Sequence, residues 1–293
     1  MVMPCRSFLW SGVADVKNLD LEQLKSFLAD HAQDDLLSWV HEQKLMDLFG
    51  ISCSAADELI MTSGMLPARY QRNREMIATE QQLKLLRSQV AVVGCGGLGG
   101  YVIEELARLG VGRLRAIDPD VFEEHNLNRQ LLATIDNLGT SKAAAAVKRV
   151  QDINPAVSVD PRQVAVGPDN GVELLIGMDV VVDAIDNING RLDLAQLCRR
   201  LDIPLVHGSI AGWFGQVGSI KPGQPTMQKL YANRTAGKGI ESTFGNPSFT
   251  PAVVGSLQAA EVCKMLLAQG GLLDERVLSV DLLQMQFDDI PVQ

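Results

Sequence analysis

The run VVGCGGLGG at residues 92–100 constrains this chain more than any other feature. It follows the apolar stretch QVAVV, which reads as a buried parallel strand. It opens an apolar-periodic segment from Leu98 to Leu109 that stops at Gly110, the pattern of a helix. Gly94, Gly96 and Gly99 stand in GxGxxG register, and the strand–turn–helix context is the one this pattern requires. Gly94 permits the tight turn, Gly96 lets backbone N–H groups approach a phosphate, and Gly99 lets the helix pack close to the strand. The start of the helix adds partial positive charge. The loop alone fits a dinucleotide as well as a mononucleotide.

Strands and helices alternate downstream. RLRAID is a second strand, residues 140–153 an Ala-rich helix, and DVVVDAID a third strand. A helix near 190–202 and the strand PLVHGSI follow. Alternation with right-handed crossovers predicts a doubly wound, Rossmann-like α/β sheet. WFGQVGSIKPG, RVLSVDLL and QMQF read as short strands of an antiparallel extension, with a helix from about Pro251 to Ala268 packed across it. The sheet is thus expected to be mainly parallel.

Ahead of it, residues 1–68 read as a small helical segment. Asp20 is an N-cap for Leu21, Leu24, Phe27 and Leu28. Leu36, Leu37, Val40, Met46 and Leu48 suggest a second helix ended by Gly50. Ser54 to Asp57 suggests a capping box opening a third that ends at Gly64. Residues 69–88 read as a charged helix, and 222–250 as the least regular stretch. The expected domains are a helical extension at 1–68 and a nucleotide-binding domain at 69–293.

Charge narrows the function. The 293 residues carry a net charge of -9, and residues 1–68 hold four Lys/Arg against ten Asp/Glu. Nucleic-acid binding needs basic surface to displace counterions, so that class is excluded as an expectation. No stretch approaches the roughly 20 apolar residues of a membrane helix, and Phe8–Trp10 is too short for a signal-peptide core. The five cysteines are widely spread and contain no CxxC. A reduced, cytoplasmic setting is expected.

Several residues then separate a triphosphate from a nicotinamide. Asp118 ends the second strand, where a carboxylate accepts from ribose hydroxyls. Asn126 and Arg129, three apart in HNLNRQ, share a face of a helical turn. Lys142 starts the next helix, and Arg72 lies upstream. Three cations near one phosphate loop suit the charge that builds when an α-phosphate is attacked. Asp186, at the carboxyl end of a central strand, is placed to hold Mg²⁺ against phosphate oxygens. Its bland alternative is a helix cap. Asp183 reads as structural, and His207 as a satisfied core histidine. Cys95, Cys198 and Cys263 read as buried thiols rather than nucleophiles.

The set RYQRN, GCGGLGG, DPDVFEEHNLNRQ, GTSKAAAA, DAIDN and VVGSLQAAEVCKML, in this order, resembles the MoeB/ThiF/HesA family, bacterial relatives of ubiquitin-activating enzymes. The resemblance covers about residues 69–287. It implies adenylation, with Mg²⁺ and ATP, of the C-terminal glycine of a ubiquitin-like sulfur-carrier protein ending in Gly-Gly. It also implies a homodimer in which Arg72 reaches the partner's site. By the same resemblance Asp118 holds ribose; Asn126, Arg129 and Lys142 hold phosphate; and Asp186 serves magnesium and catalysis. Gly97, Asp120 and Asn187 complete the expected nucleotide contacts. The chain departs from the pattern in three ways. Asn73 replaces a usual Gln. The paired CxxC of a structural zinc is missing, so no zinc is expected. The crossover stretch 224–251 has no cysteine for a thioester. The alternatives kept open are an NAD(P)-dependent oxidoreductase on the same sheet and a catalytically degenerate scaffold that binds a carrier.

Overall fold

The computed structural model describes residues 20–232 and 244–292. The readings of Cys5 and Phe8–Trp10, and the middle of the irregular stretch, lie outside the described residues. The chain divides into two compact units, 1–86 and 87–293.

The first unit is helical. α1 (Leu21–His31) starts where the Asp20 carboxylate accepts from the Glu22 and Gln23 amides at 3.1 Å. α2 (Trp39–Phe49) ends at Gly50, which is left-handed with φ 63°. Leu36–Leu37 does not join that helix. It forms β1, a two-residue strand paired in parallel with β2 (Leu66–Pro67). α3 (Cys53–Thr62) is capped by Ser52, whose Oγ accepts from the Ala55 amide at 3.3 Å, and not by Ser54. Asp57 is thereby freed from the expected capping box and is fully buried. Leu24, Leu28, Leu37, Leu45, Ala56 and Ile60 form the core of this unit.

Residues 69–88 are not one helix. Ala68–Tyr70 is a 3₁₀ turn, further i→i+3 bonds run to Met76, and only α4 (Thr79–Arg87) is α-helical. The break follows from side-chain demands: Arg69 and Tyr70 turn into the helical unit, which a regular surface helix would not allow.

The second unit carries an eight-stranded sheet: β3 (Gln89–Val93), β4 (Arg113–Ile117), β5 (Ser158–Arg162), β6 (Val180–Asp183), β7 (Leu205–Ala211), β8 (Phe214–Ile220), β9 (Arg276–Asp281) and β10 (Gln286–Pro291). Their order is β10-β9-β8-β7-β6-β3-β4-β5. β7 through β5 are parallel, and β8, β9 and β10 extend the sheet antiparallel. The expected fold class holds. β5 has no counterpart among the expected strands. It is a sheet edge, where Pro161 is tolerated because no partner needs its missing N–H. The helices are α5 (Gly97–Leu109), α6 (Lys142–Ile153), α7 (Gly171–Leu175), α8 (Ile188–Leu201), α9 (Thr226–Leu230) and α10 (Phe249–Leu267). α9 falls inside the stretch read as irregular. Strand order reverses between β3 and β6, so their carboxyl ends open a crevice. Among the described residues no helix is long and apolar enough to cross a membrane.

The described cysteines are free, and Cys53, Cys95 and Cys198 are buried while Cys263 is half-buried. Burial, reinforced by Asp183, pushes the Cys198 thiol up to about 12. In the native chain at pH 8, iodoacetamide should modify Cys263 before the other three, read by peptide mass spectrometry. Above pH 9 the unfolded thiol ionises while native Cys198 keeps its proton, so this group lowers stability as pH climbs from 9 toward 12.

Candidate functional site

A cavity of about 250 Å³ lies at the carboxyl ends of β3, β4 and β6. Its floor is the glycine loop. Gly94 has φ 94°, and a Cβ there would lie 2.5 Å from the Ala184 carbonyl oxygen. A Cβ on Gly99 would lie 1.7 Å from the Gly94 oxygen, so α5 can approach β3 only with glycine there. Gly94, Gly96 and Gly97 line the cavity, and Gly99 supports them from the first turn of α5.

Asp118 follows β4 and is buried. Its Oδ2 accepts from the Cys95 amide at 2.7 Å and its Oδ1 from the Asp120 amide at 2.8 Å. Burial raises its pKa, and those two N–H groups and Lys142 oppose the rise. Each oxygen keeps a second lone pair for a ligand hydroxyl. Lys142, capped into α6 by Ser141, is buried and donates from Nζ to Asp120 Oδ2 at 3.0 Å. Asp118, Asp120 and Lys142 all line the cavity.

Arg129 lines it as well. Its Nη1 donates to the His125 carbonyl at 3.1 Å and to Asn128 Oδ1 at 2.9 Å. Burial lowers its pKa, and the charge of Asp186 opposes that. Asn126 takes a different place. It is buried off the cavity wall, and its Oδ1 closes a 3₁₀ turn by accepting from the Glu123 amide at 3.0 Å. Asp186 and Asn187 line the cavity. The cap of α8 is Asn187, whose Oδ1 accepts from the Gly190 amide at 2.8 Å. Among the described residues, that leaves the exposed Asp186 carboxylate with only a 3.5 Å contact from Asn187 Nδ2. Arg72 belongs to the first unit.

Three further polar side chains line the cavity that were not singled out from the sequence: Gln130, Asn246 and Arg191. Among the described residues, Gln130 Oε1 and Asn246 Oδ1 are buried without a hydrogen-bond partner. Two orphaned carboxamide oxygens at one cavity fit a ligand with N–H or O–H donors, as a nucleoside has. Gln130 adjoins Arg129 in the sequence, which was the available signal. Arg191 sits one turn into α8. Its Nε donates to the Ile185 carbonyl at 2.9 Å and its Nη1 to the Tyr231 hydroxyl at 3.1 Å.

Behind it lies a buried chain of polar groups. His207 and Asp183 are fully buried, with Nδ1 2.7 Å from Asp183 Oδ2. The Tyr231 hydroxyl lies 3.2 Å from His207 Nε2 and 3.4 Å from Gln216 Nε2. The arrangement is self-consistent with Nδ1 donating to Asp183 and Nε2 accepting from Tyr231. Asp183 Oδ1 accepts from the Ile185 amide at 3.0 Å, so the chain holds the segment that carries Asp186. The structural reading of Asp183 and His207 therefore holds.

The sequence matches the ThiF family over residues 70–293. The chain belongs to the ThiF family. This family member is 41% identical over 227 residues to the SAMP-activating enzyme E1 of Haloferax volcanii, across 76% of this chain and 84% of that protein. It is 37% identical over 237 residues to the sulfur carrier protein adenylyltransferase of Thermus thermophilus, across 77% and 87%. Among solved structures it is similar to E. coli MccB, with a TM-score of 0.66, 22% identity, and coverage of 76% of this chain and 69% of that one. It is also similar to TcdA (CsdL), with a TM-score of 0.59, 26% identity and coverage of 69% and 94%. The MccB likeness shows the fold. The ThiF match begins at Tyr70, so α1, α2 and α3 precede it.

Two substitutions and one control test this ThiF-family site without ligand. Gly94→Ala should cost about 1–3 kcal/mol in denaturant unfolding, because backbone strain and the Ala184 oxygen act together. Gly177→Ala, also left-handed but with nothing within 4 Å, should lose only the backbone part. Tyr231→Phe removes the hydroxyl shared by Arg191, His207 and Gln216, and should cost about 1–3 kcal/mol by the same measurement.

Proposed function

We propose that this ThiF-family chain is an ATP-dependent adenylyltransferase of the ubiquitin-activating-enzyme-like class. Its substrate is the C-terminal glycine of a ubiquitin-like sulfur-carrier protein, in the biosynthesis of a sulfur-containing cofactor or product. The observation that carries the reading is the convergence of the glycine loop, Asp118, Arg129, Lys142 and Asp186 on one cavity at the switch point of the sheet. Relatives named as an activating enzyme and a sulfur-carrier adenylyltransferase support it.

In this reading a carboxylate oxygen of the carrier attacks the α-phosphorus in line. The bond from that phosphorus to the bridging oxygen breaks, and pyrophosphate leaves. No protein nucleophile or general base is needed, because the attacking carboxylate is already ionised at neutral pH. The chain supplies position and charge. Backbone N–H groups of the glycine loop and the start of α5 face the phosphates, Asp118 accepts from ribose hydroxyls, and Arg129 and Lys142 stabilise charge on the phosphate oxygens. The orphaned Gln130 oxygen accepts from the nucleoside or the carrier tail. Lys142 must exchange Asp120 for phosphate, so Asp120 acts as its resting partner. Asp186, spared from capping by Asn187, is the residue that would hold Mg²⁺, which when bound neutralises phosphate charge. Asn126 contributes by fixing the turn that presents Arg129. Arg72 acts in the partner's site within a homodimer. Residues 1–68 are an accessory helical extension to an adenylation domain at 69–293, and the free thiols fit a cytoplasmic setting.

Carrier-dependent pyrophosphate release from ATP should fall on the order of 100- to 1,000-fold in Arg129→Ala and in Lys142→Ala. Melting curves should stay near that of the parent chain. Normal turnover in either variant removes its phosphate role, and binding of NADH in place of ATP removes the function.

A further inference from the structure

The first unit contains an ion cluster, two buried acids held by a partly exposed arginine, that the adenylation chemistry does not use. Arg69 makes a bidentate fork to Glu42, with Nη2 2.6 Å from Oε1 and Nη1 2.8 Å from Oε2. The same guanidinium reaches Asp57 Oδ1 from Nη1 at 3.1 Å and from Nη2 at 3.2 Å. The Cys53 thiol donates to Glu42 Oε1 at 3.1 Å. The guanidinium lies 5.6 Å from the Trp39 ring centre and 5.3 Å from that of Tyr70. Glu42 comes from α2, Asp57 and Cys53 from α3, and Arg69 from the turn after β2. Glu42, Cys53 and Asp57 lie close enough together to hold a cation, but Arg69 already occupies the space between the two acids.

Energy alone does not account for the cluster. Burying charges costs several kcal/mol per ion, and replacing a buried ion pair with apolar groups is often neutral or stabilising. A planar fork supplies direction: it fixes the angle at which one segment leaves another. The segment fixed here is 66–77. Leu66 donates its amide to the Asp35 carbonyl at 2.8 Å, the Asn73 amide donates to the Tyr70 carbonyl at 2.8 Å, and Arg74 Nη1 donates to the Asp34 carbonyl at 3.3 Å. Arg72 lies between these anchors. It is exposed and makes no hydrogen bond or ion pair among the described residues. Its neighbours on both sides are tied down, while its own guanidinium is left for something outside the unit.

We propose that the Glu42–Arg69–Asp57 cluster is a positioning device that holds the 66–77 turn rigid on α2 and α3 so that Arg72 is presented in a fixed direction. This gives the accessory helices a role in the reaction. The inference rests on the proposed action of Arg72 in adenylation.

A double-mutant cycle in the full-length chain tests it, with carrier-dependent pyrophosphate release and amide hydrogen exchange as readouts. Arg72→Ala should lower kcat about tenfold or more. Glu42→Gln should lower kcat about fivefold or more, with KM for ATP nearly unchanged and faster exchange at residues 69–76. Glu42→Gln combined with Arg72→Ala should be no slower than Arg72→Ala alone. Arg69→Lys, which keeps the charge and loses the fork, should repeat the Glu42→Gln result and serves where that variant does not fold.

A wild-type kcat in both Glu42→Gln and Arg69→Lys, beside a slow Arg72→Ala, overturns the positioning role. So does an additive double mutant, or unfolding of both cluster variants. A wild-type kcat in Arg72→Ala overturns the role of Arg72 and this inference with it, and leaves the adenylation reading to the Arg129 and Lys142 variants.

Discussion

The close approach of α5 to the end of β3 sets the geometry of everything at the cavity. With the Gly94 oxygen 1.7 Å from where a Gly99 side chain would begin, the helix start is pressed against the strand end. That contact aims the first-turn amides of α5 at the crevice left by the reversal of strand order between β3 and β6. Asp118 then reaches back to the Cys95 amide, locking the second strand to the glycine turn. The cavity is thus a consequence of backbone packing first and of side-chain chemistry second.

Charge at the site is balanced within short distances. Lys142 rests on Asp120, and Arg129 is held by neutral oxygens with Asp186 nearby. A cation satisfied by carbonyl and amide oxygens keeps more of its field for a ligand than one neutralised by a carboxylate. Arg129 and Lys142 therefore start from different states. Behind them, the chain from Asp183 through His207 and Tyr231 to Arg191 carries polar contacts from the sheet to the cavity wall. A fully bonded interior network of this kind holds a single arrangement.

Sequence reading reached the fold through features that local physics dictates. The glycine register, the alternation of apolar strands with helices, and the stops at Gly50 and Gly110 each need only neighbours in the chain. It also singled out Asp118, Lys142 and Asp186, which sit at strand ends and a helix start where position follows from topology, and Arg129, which lies in the turn after a 3₁₀ segment. It missed what depends on distant partners. β5 carries a proline that is harmless only at a sheet edge. The helix expected at 69–88 breaks because Arg69 and Tyr70 are drawn to Glu42 and Asp57. Asn126, read as a ligand-facing residue from its spacing to Arg129, also closes a local turn by accepting from the Glu123 amide. Arg191 and Asn246 have no distinctive spacing, and only the folded backbone gathers them beside Gln130.

Among the described residues the sheet also ends openly. β10 is an outer strand whose residues are all exposed, and it presents Phe287 and Ile290. A bare outer strand invites another chain to add to it and so to aggregate. Asp288 and Asp289 place carboxylates in the middle of that strand, and Pro291 withdraws one amide donor from its end. A strand that carries two carboxylates, one of them paired with Arg276 of the neighbouring β9, and that lacks a donor at its end is a poorer template for another chain than a bare apolar edge.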